Sequence, residues 1–110
     1  MLFLTQQEKK CLQLFKDQVI QKVGDSSIQF MIFGSRVKGH SNEASDIDVL
    51  VLVSQKNTSI KNMIWDIAAE IQMDHEIEIA PLVMTAKEYK DLLRRERLLA
   101  LDIQRDGVAL

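Results

Sequence analysis

The sequence predicts a mixed α/β (α+β) domain in which helices pack on a small mixed β-sheet. Two short apolar runs, "IQFMIF" and "IDVLVLV", stand on either side of a polar loop and have the length of buried strands. Apolar residues recur at helical spacing before and after this pair, and an alternating segment follows near residue 80. The predicted order is therefore α-β-β-α-β-α, in one domain that spans residues 1–110.

The first helix is predicted from its cap and from its apolar stripe. Thr5 and Glu8 have the spacing of a capping box, and Gly24 is a typical helix stop. The stripe consists of Leu12, Phe15, Val19 and Val23, with Cys11 beside it. Residues 28–33 then form the first predicted strand, and the polar loop 34–45 begins with room for one helical turn after Gly34.

The remaining elements follow from the same signals. Residues 47–53 form the second predicted strand, and Asn57-Thr58-Ser59 caps a second helix. His75 to Met84 alternates and predicts a third strand, in which Pro81 favours an edge position or a bulge. Thr85 and Glu88 repeat the capping box and open a third helix, and a last helical segment ends near Gly107.

Composition narrows the classes of function. The net charge of -2 argues against nucleic acid as a partner, and no apolar run approaches the length of a membrane span. The N-terminus turns polar after four residues, unlike a signal peptide, and the single Cys11 fits a reducing cytoplasm. We therefore expect a cytoplasmic protein. Its composition leaves the oligomeric state, including a homo-oligomer, open.

Asp46 and Asp48 carry the strongest chemical signal. Residues two apart in a strand point to the same face, so the two carboxylates lie side by side while Ile47 points into the core. Like charges this close repel, and a divalent cation such as Mg²⁺ removes that penalty. Glu76 and Glu78 would share a face of the third strand by the same rule, and either can supply a third carboxylate.

Gly34 and Ser35 form a second signal at the end of the first strand. Glycine lets a phosphate approach the backbone, and the amides of a following helical turn can bind the anion. Arg36 and Lys38 add positive charge nearby. Each feature alone has an ordinary structural explanation, as a turn or as solvated surface charge, but together they indicate phosphoryl or nucleotidyl transfer.

The segment "GSRVKGHSNEASDIDVLV" resembles the signature of the polymerase-β-like nucleotidyltransferase superfamily, and most closely its minimal nucleotidyltransferases. The resemblance covers nearly the whole chain and implies the fold of that superfamily. It also implies transfer of AMP from ATP, with two Mg²⁺ ions, onto a tyrosine of a helical HEPN toxin. In such toxin–antitoxin pairs the nucleotidyltransferase is the antitoxin.

The resemblance assigns roles to individual positions. It makes Gly34, Ser35, Arg36 and Lys38 the nucleotide-binding residues and Gly39 a loop glycine. Metal-binding and catalytic roles fall to Asp46, Asp48 and Glu78. Glu78 stands where the family usually has an aspartate, and Glu76 is the second candidate.

The sequence is also compatible with two other functions. A binding module with a vestigial site could mask a helical partner by contact alone. Alternatively, the nucleotide could go to a small molecule of the aminoglycoside type, although such enzymes usually have a second substrate-holding domain.

Overall fold

Five helices and four strands make up the described part of the chain. The computed structural model describes the backbone of residues 3–38 and 46–110, and their side chains except at 35 and 38. The elements are α1 (Gln6–Val23), β1 (Gln29–Phe33), α2 (Ser35–Lys38), β2 (Ile47–Val53), α3 (Thr58–His75), β3 (Ile79–Thr85), α4 (Ala86–Arg94), α5 (Leu98–Asp106) and β4 (Val108–Ala109).

The strands form one mixed sheet in the order β3-β2-β1-β4. β1 pairs antiparallel with β2, β2 pairs parallel with β3, and β4 pairs antiparallel with β1. The mixed α/β class is therefore confirmed. β3 lies at an edge, as Pro81 predicted, because an edge strand tolerates a residue without an amide donor.

The predicted N-terminal caps of three helices are confirmed. Thr5 and Thr85 both form complete capping boxes, with Glu8 and Glu88 as their partners. Asn57 accepts a hydrogen bond from the amide of Ile60 at the start of α3. These caps satisfy amides that have no partner within their helices.

Two parts of the predicted order were wrong. The third strand begins at Ile79 rather than His75, because α3 continues through His75 and ends with Glu76 in the left-handed region at φ 58°. Sequence patterns also missed β4, since a strand of two residues has no periodicity and depends on pairing with β1.

Hydrophobic clusters cover both faces of the sheet. Ile47, Val49 and Val51 of β2 are buried in the larger cluster, against α1 and α3. Leu50 points to the other face and packs with Met84 and Ile103 in a smaller cluster. The two clusters fix the sheet between helices and leave the start of β2 at its rim. None of the helices described here is long and apolar enough to cross a bilayer.

Candidate nucleotide and metal site

Asp48 occupies the start of β2, between the ends of two neighbouring strands. Its Cα pairs with that of Phe33 in β1 and with that of Ala80 in β3. Ile47 is completely buried, so the period-two alternation directs the neighbouring carboxylates away from the larger cluster. Asp46 directly precedes the strand and is exposed. The sheet thus brings the Asp-x-Asp pair to the end of β1.

Gly34 lies directly against the carboxylate of Asp48. Its φ of 81° is in the left-handed region, which glycine adopts readily. A Cβ at this position would collide with Asp48 Oδ2 and would lie 3.3 Å from Asp48 Cγ. Because Gly34 has no side chain, the candidate phosphate-binding turn can lie directly against Asp48, a candidate metal ligand. The two candidate motifs are separate in the sequence but adjacent in the structure.

Burial and charge act together on Asp48. Partial burial raises the pKa of its carboxyl, and the neighbouring Asp46 carboxylate raises it further. Both effects disfavour the ionised form. An unassisted pair of carboxylates is therefore costly here, and a bound cation would offset the cost.

Glu78 joins the same group of carboxylates. Its carbonyl accepts a 3.0 Å hydrogen bond from the amide of Ile47, and its Oε1 accepts one of 2.9 Å from Gln72 Nε2. A hydrogen bond with the Asp46 side chain, and then the charge of Asp46, raise the pKa of Glu78. A hydrogen bond between two carboxyl groups needs a shared proton, which a metal ion could replace.

Glu76 does not share a strand face with Glu78. It caps the C-terminus of α3 in the left-handed region, so the period-two argument that made the two glutamates equivalent was wrong. Of the two, Glu78 is the one whose pKa Asp46 raises.

Arg36 has a partner that sequence reasoning missed. Its side chain is 4% exposed and its NH1 lies 2.6 Å from Glu8 Oε2. Glu8 was read only as a helix cap, and no local pattern relates α1 to the turn after β1. Ser35 and Lys38 belong to α2, which follows Gly34 directly. Gly39 lies outside the described residues.

The donor set fits a cation that takes only part of its ligands from the protein. Within residues 3–38 and 46–110, no three His, Cys, Asp or Glu side chains converge as a complete metal site. Asp46 nevertheless raises the pKa of both Asp48 and Glu78. All three carboxylates offer the hard oxygens that Mg²⁺ prefers. Mg²⁺ commonly uses one or two carboxylates and completes its shell with water and substrate phosphates.

The fold and a match to a known family define the class of this protein as a nucleotidyltransferase. Residues 9–103 match the family described as "Polymerase beta, Nucleotidyltransferase", which covers most of the chain. The chain belongs to this family and is a minimal nucleotidyltransferase within it.

Two relatives come from the archaeon Methanocaldococcus jannaschii. The protein named "Putative protein adenylyltransferase MJ0141" is 33% identical over 70 residues, which cover 63% of this chain and 71% of the relative. The one named "Putative protein adenylyltransferase MJ1305" is 29% identical over 80 residues, which cover 70% of this chain. The match spans 54% of that second relative, about half of its length.

Proposed function

We propose that this protein transfers AMP from ATP, with Mg²⁺, to a hydroxyl group of a partner protein. The contact between Gly34 and the Asp48 carboxylate carries the proposal, because it joins a phosphate-binding turn to the Asp-x-Asp pair. The names of the two archaeal relatives support AMP as the group and protein as the acceptor.

Each residue has a proposed task. The backbone amides that follow Gly34, with the hydroxyl of Ser35 and the charge of Lys38, bind the triphosphate. Asp46, Asp48 and Glu78 hold two Mg²⁺ ions jointly with phosphate oxygens. Bound Mg²⁺ supplies charge stabilisation at the attacking and leaving oxygens of an in-line displacement.

The reaction itself is a substitution at the α-phosphorus. The acceptor oxygen forms a bond to this phosphorus while the bond to the oxygen that bridges the α- and β-phosphates breaks. Pyrophosphate leaves with that bridging oxygen. The hydroxyl proton passes to a carboxylate of the site, and Glu78 is the acceptor that we assign to it.

The acceptor we propose is a tyrosine of a helical HEPN-type toxin, with this protein as its antitoxin. The resemblance to minimal nucleotidyltransferases supports this pairing, and the net charge of -2 disfavours nucleic acid as the alternative acceptor.

The first test is a calorimetric titration of ATP with Mg²⁺ and with EDTA. We expect binding only with Mg²⁺, and none in the Asp46→Asn/Asp48→Asn double variant. Circular dichroism should show that this variant is folded, because the change removes repulsion between like charges. Equal affinity with Mg²⁺ and with EDTA would contradict the metal site.

The second test is intact-mass spectrometry of the protein encoded beside this one, after incubation with ATP and Mg²⁺. Transfer of AMP adds about 329 Da, as follows from releasing pyrophosphate from the two-substrate reaction. The double variant should bind this partner but leave its mass unchanged.

One observation favours a second candidate, a module that silences its partner by contact alone. The described residues do not converge as a complete three-ligand site. In that case the double variant would still neutralise the partner, and the wild-type protein would leave the partner's mass unchanged.

A further inference from the structure

Glu8 and Arg36 are the two buried charged residues in the described part of the chain. Glu8 is 8% exposed and Arg36 is 4% exposed. Charges are rarely placed in a protein interior unless they are paired, and these two form an ion pair of 2.6 Å. Arg36 lies two positions after Gly34, in α2, so the pair joins α1 to the turn that we propose for the triphosphate.

The ion pair is built into the start of α1. Glu8 Oε1 accepts a 2.8 Å hydrogen bond from the amide of Thr5, while its Oε2 contacts Arg36. The backbone adds a second tie, since the amide of Phe3 donates to the carbonyl of Arg36 at 2.9 Å. Arg36 NH1 also lies 3.4 Å from the carbonyl of Phe3. Segment 3–8 therefore holds Arg36 by both backbone and side chain.

α2 needs such an external tie. It has four residues, and a single helical turn gains too few hydrogen bonds to offset the entropy of ordering it. The amide of Val37 donates a 3.1 Å hydrogen bond to the carbonyl of Gly34, the residue directly before α2. The direction of the amides that face a bound phosphate thus depends on contacts outside the turn.

We propose that Arg36 is a positioning residue, which Glu8 locks in place so that the Gly34–Ser35 turn is preformed for the triphosphate. Its guanidinium acts through the turn and does not contact phosphate itself. This inference rests on the proposed function, since it assigns the turn to nucleotide. It also replaces the direct nucleotide-binding role that the sequence suggested for Arg36.

A double-variant cycle in Mg²⁺-dependent ATP binding distinguishes the two roles. Glu8→Gln keeps the shape and the capping acceptor of Glu8 but removes its charge. If Arg36 acts through the lock, Glu8→Gln and Arg36→Gln each weaken ATP binding by about tenfold, and the double variant is no weaker than either one. If Arg36 binds phosphate directly, Arg36→Gln alone weakens binding, whereas Glu8→Gln removes a competing carboxylate and leaves affinity unchanged or higher. That second pattern would overturn the proposal.

Glu88→Gln is the matched control. Glu88 has the same position in the capping box of α4 and pairs with Lys56 at 3.2 Å, but that pair is more exposed and belongs to a different helix. We expect Glu88→Gln to leave ATP affinity unchanged. A tenfold loss in this variant as well would show that Glu8→Gln acts through general stability, and it would overturn the proposal.

Hydrogen exchange tests the lock without nucleotide. The amide of Val37 should exchange faster in Glu8→Gln and in Arg36→Gln, and at the wild-type rate in Glu88→Gln. An unchanged Val37 rate in Glu8→Gln would refute the lock, whatever the protein binds. A wild-type protein that fails to bind ATP, with faster exchange in both variants, would instead refute the proposed function and retain the lock.

Discussion

At the scale of single residues, the candidate site depends on the lack of a side chain at Gly34. Gly34 has no Cβ, and the Asp48 carboxylate occupies the space where one would be. This contact places the turn after β1 directly against the start of β2. A side chain at position 34 would therefore affect function more than folding.

The chain offers a matched pair of glycines to test this point. Gly24 and Gly34 have similar positive φ angles, 74° and 81°, but a Cβ at Gly24 would meet nothing within 4 Å. We expect Gly24→Ala and Gly34→Ala to lower the free energy of unfolding by a similar amount, about 1–2 kcal/mol, because both force alanine into the left-handed region. Only Gly34→Ala must also turn the Asp48 carboxylate aside, so it alone should weaken Mg²⁺-dependent ATP binding, by roughly tenfold or more. Urea denaturation and calorimetry measure the two effects. Equal ATP affinity in both variants would contradict the contact.

Asp48 should also make stability depend on pH. Burial and Asp46 raise its folded-state pKa above the ordinary value of 3.8, so the folded protein holds the proton more tightly than the unfolded chain. This contribution is fully present below pH 3.8 and is lost as the pH rises through the folded-state pKa.

Asp48→Asn removes that dependence. In EDTA, we expect the variant to melt at a higher temperature than the wild-type protein at pH 7, with the difference shrinking as the pH falls through the folded-state pKa and disappearing below pH 3.8. Thermal melts across this range measure it. A variant that melts lower than wild type at pH 7 would mean that the ionised carboxylate stabilises the fold.

At the scale of elements, short sequence patterns correctly predicted the helices and strands that depend on neighbouring residues. The capping boxes at Thr5 and Thr85 and the apolar run of β2 placed their elements closely. Long-range contacts were beyond such signals: β4 exists through its pairing with β1, and the Glu8–Arg36 pair joins α1 to α2. The same limit applies to the site. The sequence singled out Asp46, Asp48 and Glu78 as candidates, but it could not place Gly34 against Asp48.

The end of α3 gives an element-scale prediction. Glu76 occupies the left-handed C-cap, where glycine is favoured, so Glu76→Gly should raise the free energy of unfolding by about 1 kcal/mol. It should leave nucleotidyl transfer intact, because Glu76 caps α3 whereas Asp46 raises the pKa of Glu78. Glu78→Gln should reduce transfer strongly with little change in stability. Transfer assays and urea denaturation of both variants test this, and a larger loss of transfer in Glu76→Gly would mean that Glu76, two residues earlier, supplies the third carboxylate.

At the scale of the whole molecule, the two faces of the sheet are covered unequally. α1 and α3 bury large apolar side chains against β1 and β2, including Phe15, whose ring meets that of Phe30 edge to face at 6.1 Å. α4 contributes no buried residue, whereas α5 buries Ala100 and Ile103 but leaves Leu98 at its start 80% exposed. The candidate carboxylates lie in β2 or directly before β2 and β3, and Arg36, which follows the Gly34 turn, pairs with Glu8 of α1. The candidate site residues therefore adjoin the better-packed side.

This asymmetry predicts that α4 and α5 open before the rest of the fold. Their amides should exchange with solvent through a local opening whose free energy is clearly below that of global unfolding, because few apolar contacts hold them. The amides of α1, α3 and β2 should exchange only with global unfolding. Native-state hydrogen exchange at increasing, non-denaturing urea concentrations separates the two classes by their slopes. Mg²⁺ and ATP should slow exchange in the second class and leave α4 unchanged, since bound ligand stabilises only openings that destroy the site. If all the helices instead exchange with one common free energy, the two faces unfold as a single cooperative unit, and the ligand should then protect α4 as well.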